Sequence, residues 1–315
     1  MWRSIVLTLP LLNENCSVCS VPTGPEKPRL FLYFQPLPPP SSGYAEICGY
    51  NVSRQPHEVR KRIGIVFQDP SLDEELTGEE NLDIHGRLYG LNAATRRSRT
   101  EEVLVLVDLQ DRRRDPVKTY SGGMRRRLEI ARGLMHRPKA LFLDEPTLGL
   151  DPQTRRRIWN YIRTLKESFG MTVILTTHYM DEADQLCSRV AIIDRGRIVA
   201  LDTPQALKAS VGGDLIELET GDHAPEFVDH LAGMEEIAKV VGSEGTVLLT
   251  VGNGESFIPR CFEVAQKYSV QISSVSLRKP NLEDVFIQLT GREIREEASA
   301  GPRDRWPIFL QAKRR

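Results

Sequence analysis

Tyr120-Ser121-Gly122-Gly123-Met124-Arg125 decides how this chain is read, together with three pieces that follow it in order: Ala140-Leu141-Phe142-Leu143-Asp144-Glu145-Pro146, then Gly149-Leu150-Asp151, then His178 after an apolar run. A Ser-Gly-Gly turn that opens a helix points bare backbone N–H groups and the positive end of the helix dipole at an anion. The apolar run Ala140 to Leu143 predicts a buried strand of a parallel sheet, whose C-terminal tip is where such sheets present their chemistry. Two adjacent carboxylates sit at that tip, one suited to magnesium and one to polarising a water. Each piece alone has an ordinary explanation as a turn, a helix cap or a hydrogen-bonded structural histidine. In this order, on these elements, they point to phosphate chemistry.

Length and composition set the frame. The chain has 315 residues, 40% of them hydrophobic, which supports one large domain and a smaller one. The formal net charge of −1 gives no electrostatic footprint for nucleic acid. Arginines cluster at Arg112 to Arg114, Arg125 to Arg127 and Arg155 to Arg157, and these read mostly as solvated helix faces, an arrangement that still permits contact with a phosphate or an acidic partner. Cys16 and Cys19 form a C-x-x-C with no second pair, a weak zinc signal. No apolar run is long enough to span a bilayer. Ile5 to Leu12 lacks the flanks of a secretion signal.

From Ser41 the pattern is α/β. Tyr44 to Cys48 and Arg62 to Phe67 predict strands, the second ending at Gln68, and Glu75 to Leu91 with Thr95 to Leu109 predict a helical insert. The Ser-Gly-Gly turn starts a helix running to Met135; Pro152 opens the next, which Gly170 closes. Met171 to Thr176 reads as a core strand, and Val190 to Ile193 with Arg197 to Ala200 as a hairpin about Asp194-Arg195-Gly196. After Thr203-Pro204 the order becomes β-α-β-β-α-β, the ferredoxin-like α+β unit, with a final helix from Asn281 to Thr290 expected to pack back onto the body.

Taken together, residues 41–206 resemble the ATP-binding subunits of ABC transporters. Tyr120 to Met124 is similar to the signature motif, Leu141 to Glu145 to the Walker B strand, Gly149 to Asp151 to the D-loop, Gln68 to the Q-loop glutamine and His178 to the switch histidine. The region from Asp214, with Leu277-Arg278-Lys279-Pro280-Asn281-Leu282-Glu283-Asp284-Val285-Phe286, resembles the accessory domain of daunorubicin-resistance-like drug exporters. The resemblance implies a P-loop NTPase-like cassette, incomplete at its N-terminus, with a helical insert and a ferredoxin-like accessory domain at 213–291 and a loose tail at 292–315. It implies an ATPase using ATP and Mg2+, in which Asp144 and Gln68 hold the metal, Glu145 is the general base, and His178 contacts the transferred phosphoryl group. Ser121, Gly122, Gly123 and Asp151 would face a nucleotide held by a second cassette. The implied partner is a membrane permease that docks around Gln68 to Leu91, at the cytoplasmic face of the membrane, and the implied cargo is a drug or other hydrophobic compound. Tyr120 and Met124 depart from the Leu and Gln common at their positions, and Met124 lacks a glutamine's polar contact. Soluble cassette proteins of translation or DNA repair fit less well, since there is one cassette and no long heptad insertion.

The phosphate loop G-x-x-x-x-G-K-[ST] is absent. Before Ser41 the only glycine is Gly24 and the only lysine Lys27, between Pro25 and Pro28, and proline offers no N–H to a phosphate. Read one base upstream, the codons of Asn15 to Phe31 permit Leu-Phe-Gly-Leu-Leu-Gly-Pro-Asn-Gly-Ala-Gly-Lys-Thr-Thr-Thr-Ile, with a complete phosphate loop at positions 21–28. The first 40 residues are therefore expected to be an out-of-frame reading with no fold of its own, restored at the cytosine-rich codons of Pro38 to Pro40. The competing expectation is a subunit blind to nucleotide, which lends only its signature face to a partner.

Overall fold

In the computed structural model, residues 18–22, 45–194, 197–221, 225–243 and 245–290 are described. The expectations for the rest of 1–40, for the turn at 195–196 and for the tail at 292–315 lie outside these residues. The chain divides into two compact units at Thr203/Pro204, and the short helix after that point belongs to the second.

The first unit contains β1 (Val18–Pro22), β2 (Glu46–Ile47), β3 (Tyr50–Asn51), α1 (Pro56–Arg60), β4 (Ile63–Val66), α2 (Gly78–Leu88), α3 (Ala93–Leu106), α4 (Gly122–Leu134), β5 (Ala140–Asp144), α5 (Pro152–Phe169), β6 (Thr172–Thr176), α6 (Met180–Leu186), β7 (Arg189–Asp194) and β8 (Arg197–Asp202). Its main sheet has the order β4-β5-β6-β1-β7-β8, with every neighbouring pair parallel except β7 and β8. Val18 to Pro22 thus form a central strand, where a segment without fold was expected. The slot between β6 and β7 needs only backbone pairing and β-compatible residues, and Val18-Cys19-Ser20-Val21 supply both before Pro22 ends the run.

β5 is buried on both faces, as a parallel strand covered by helices requires. Phe142 and Ala140 pack with Ile47, Val59, Ile63 and Ile174 on one side. On the other, α4 approaches β4 so closely that a Cβ on Gly64 would lie 2.4 Å from the Gly133 carbonyl oxygen. The insert begins later than its apolar periodicity suggests, because Thr77 and Glu80 form a reciprocal capping box that sets the start of α2. Pro152 and a left-handed Gly170 bound α5, as expected.

The second unit contains α7 (Pro204–Ala209), β9 (Asp214–Glu219), α8 (Pro225–Ala232), β10 (Ile237–Ser243), β11 (Thr246–Val251), α9 (Gly254–Lys267), β12 (Ser274–Arg278) and α10 (Leu282–Thr290). Its antiparallel sheet runs β10-β11-β9-β12, the strand order of the ferredoxin-like unit. Phe227 and Leu231 of α8 and Phe257 and Cys261 of α9 join Ile216, Leu218 and Leu249 in one core. α10 packs against α7 within this unit.

Candidate functional site

The tips of β4, β5 and β6 carry Gln68, Asp144 with Glu145, and His178. Thr176, buried at the end of β6, organises the tip of β5: its hydroxyl donates to Asp144 Oδ1 at 2.6 Å, and its carbonyl accepts the Glu145 N–H at 3.0 Å. Glu145 has a φ of 44°, the left-handed region that costs a non-glycine residue about 1–3 kcal/mol. That turn aims its carboxylate sideways toward the neighbouring strand, where Oε2 lies 3.6 Å from His178 Nδ1. Both side chains are largely covered, and the His178 ring sits 4.2 Å from that of Tyr179. Gln68 Oε1 is buried with no hydrogen-bond partner among the described residues.

The signature stretch forms a second cluster. Ser121 caps α4, its Oγ accepting the Met124 N–H at 3.3 Å; Ser121 and Gly122 are exposed and Gly123 is buried. Asp151 caps α5 by accepting the N–H groups of Gln153 and Thr154, each at 3.0 Å, and these bonds, with the Thr154 hydroxyl foremost, hold its carboxyl below the usual range. The two helix starts touch: a Cβ on Gly123 would lie 2.4 Å from Thr154 Cγ2, so only glycine fits there without a shift. The structure therefore pairs Ser121, Gly122 and Gly123 with Asp151, and separately pairs Glu145 with His178.

Tyr120, where a leucine is common, is buried, and its hydroxyl donates to the Arg112 carbonyl at 2.7 Å. Gly78 makes room for that hydroxyl, since a Cβ there would lie 2.6 Å from it. A larger aromatic is thus accommodated by a missing side chain on α2.

Three site residues escaped the sequence reading. Thr176 carries no motif signal beyond its place before His178. Glu182 is fully buried and accepts from Thr147 Oγ1 and Trp159 Nε1, each at 3.0 Å, which ties the turn after β5, α5 and α6 together; burial pushes its pKa up. Arg126 is the third. Its Nη2 donates to the carbonyls of Asp144 at 2.6 Å and Glu145 at 3.1 Å, its Nε to Pro146 at 2.9 Å and its Nη1 to Phe67 at 2.5 Å. Arg127 is buried, donating to the carbonyls of Val107 and Asp108, and Arg126 is half-buried. The expectation that Arg125 to Arg127 form a solvated face is corrected. Consecutive helix positions point about 100° apart, and here that turn carries Arg126 and Arg127 toward neighbouring elements.

Comparison with known proteins agrees with this geometry. The ABC transporter family matches residues 24–148, directly after β1, and the C-terminal domain of DrrA1-3-like ATP-binding proteins matches residues 203–290. The daunorubicin resistance ATP-binding protein DrrA3 of Streptomyces coeruleorubidus is 39% identical over 280 residues, covering 89% of this chain and 88% of that protein. The linearmycin resistance ATP-binding protein LnrL of Bacillus subtilis (strain 168) is 35% identical over 278 residues, covering 87% and 89%. Among solved structures, a dimeric ATP-binding cassette in a post-hydrolysis state with ADP and Pi bound has a TM-score of 0.53 at 25% identity, covering 61% of this chain and 86% of that one. The cbiO1 protein of Clostridium perfringens, part of the cbiONQ transporter complex, has a TM-score of 0.56 at 29% identity, covering 62% and 80%. By these matches the chain belongs to the ATP-binding, ATP-hydrolysing subunits of ABC transporters, in the daunorubicin-resistance-like group of drug exporters.

Proposed function

We propose that Glu145 orients the attacking water, with His178 steering both the water and the transferred phosphoryl group. The observation that carries this is the 3.6 Å approach of His178 Nδ1 to Glu145 Oε2 at the sheet edge. A base must lie within reach of the proton it takes, and a left-handed turn directs the Glu145 carboxylate across the strand tips for that purpose. The Asp144 carboxylate and the orphaned Gln68 Oε1 are hard oxygen donors that fit a magnesium ion, which would neutralise phosphate charge when bound. The Ser121-Gly122-Gly123 turn would take the γ-phosphate of ATP bound to a second cassette, with Asp151 beside it, so each chain supplies half of each site.

The phosphate loop belongs directly after β1. That strand lies in the same parallel sheet as β5 and β6, so the chain leaves Pro22 at the edge that carries Asp144 and His178. The out-of-frame reading puts Gly-Pro-Asn-Gly-Ala-Gly-Lys-Thr at this point, and the proposal is that the gene encodes it. Nucleotide sequencing tests this: a stop codon in the shifted frame, or the lack of the Gly-Lys-Thr triplets, overturns it.

The conformational work drives a separate membrane permease that exports drugs or other hydrophobic compounds, with the chain peripheral at the cytoplasmic face. No described helix is long and apolar enough to cross a membrane itself. ATP affinity and turnover of the purified chain, alone and with its permease, decide between this and a non-catalytic subunit. Slow hydrolysis abolished by Glu145→Gln supports the first reading, and absence of nucleotide binding supports the second.

A further inference from the structure

We infer that Arg126 is a positioning residue that couples the two nucleotide sites, by tying the signature turn facing one to the acid turn and Q-loop serving the other. This rests on the reading of Ser121 to Gly123 and Glu145 as parts of opposite sites. Arg126 lies in the second turn of α4, the helix that Ser121 caps. Its single guanidinium spans the carbonyls of Asp144, Glu145 and Pro146 and that of Phe67, the residue before Gln68. A planar fork of donors fixes direction as well as distance, which lysine cannot reproduce. The carbonyls it holds belong to the turn in which Glu145 takes its unfavourable φ of 44°. α4 itself is a stiff lever, since Gly123 is packed on Thr154 at one end and Gly133 on Gly64 at the other. A displacement of the signature turn therefore reaches Glu145 through one side chain, whereas the stretch after Gln68 is also held to α4 by Glu129, whose Oε1 accepts the Ser71 N–H at 2.6 Å.

Hydrogen exchange on the full chain without nucleotide tests the coupling. Ser121→Gly removes the cap and disturbs the signature turn. In the parent background it is expected to raise exchange at least threefold in the first turn of α4 and at 145–148. In an Arg126→Gln background the same change is expected to leave 145–148 unaffected, and Arg126→Lys is expected to restore the response there only in part. An equal response at 145–148 in all backgrounds overturns the coupling, as does full recovery with lysine. Thermal unfolding shows whether Arg126→Gln remains folded; if it does not, the lysine variant alone decides by the same criterion. A second arm measures ATP turnover with the permease: Arg126→Gln should lower kcat at least tenfold with KM within about twofold. An unchanged kcat overturns the role in catalysis. Absence of turnover in the parent chain counts against the proposed function, and the exchange arm then still judges the clamp by itself.

Discussion

His178 Nδ1 lies 3.6 Å from Glu145 Oε2, across the tips of two neighbouring parallel strands and 33 positions apart in the chain. Two features make this approach. Thr176 binds both the side chain of Asp144 and the backbone of Glu145, locking β5 to β6, and Glu145 turns left-handed. The histidine is thereby a neighbour of the Glu145 carboxylate.

His178→Ala should leave ATP affinity within a few-fold while lowering single-turnover hydrolysis by about 10²–10⁴-fold, the range expected for a group acting on proton transfer. Quenched-flow hydrolysis beside equilibrium ATP binding checks the split. A parallel loss of affinity would assign His178 to ground-state binding.

Glu182→Ala should destabilise the first unit by about 2–4 kcal/mol, since it opens a cavity and strands the Thr147 hydroxyl and the Trp159 N–H. Burial raises the folded pKa of Glu182, so its contribution is fully present below the unfolded value and is lost as pH rises through the folded one. Glu182→Gln should flatten that alkaline loss. Denaturant midpoints followed upward from pH 5 by Trp159 fluorescence test both.

Acid should loosen the helical insert. Burial lowers His85 to about 3 and His136 to about 4, and the ring of Tyr89 stacks on His136 at 3.8 Å. Both folded values lie below the unfolded one, so stability is full above about pH 6.5 and is lost as pH falls toward 4. His136→Gln should reduce this acid sensitivity by on the order of 1 kcal/mol. Hydrogen exchange of α2 and the end of α4, compared at pH 7 and pH 5 after correction for intrinsic rates, measures it.

Gly123→Ala should cost about 1–3 kcal/mol, the usual penalty for overpacking, because its new methyl meets Thr154 Cγ2. Thr154→Ser removes that methyl and leaves the backbone amide on the Asp151 cap. The double variant should therefore recover most of the loss, giving a coupling energy above about 0.5 kcal/mol in a thermal or denaturant cycle.

The parts legible in the sequence share one property: each is a local pattern with a local cause. Ser121 and Asp151 are helix caps, Pro152 and Gly170 mark helix ends, and Ala140 to Asp144 is an apolar run that can only be a covered strand. The order of these pieces sufficed for the cassette, and the β-α-β-β-α-β order for the second unit. Tyr120, a departure from the common pattern, became intelligible only beside Gly78, a partner 42 positions away.

Sequence by itself determined where the candidate residues fall, at helix starts and at a strand end, because those boundaries follow from nearest-neighbour backbone preferences. Tertiary structure alone decided what holds them in place. Arg126 joins carbonyls from two strands to a helix, Glu182 gathers a threonine and a tryptophan from separate elements, and Val18 to Pro22 take a central slot in the sheet. Such contacts depend on which distant groups lack a hydrogen-bond partner once the chain is packed, and that need arises only in the folded state.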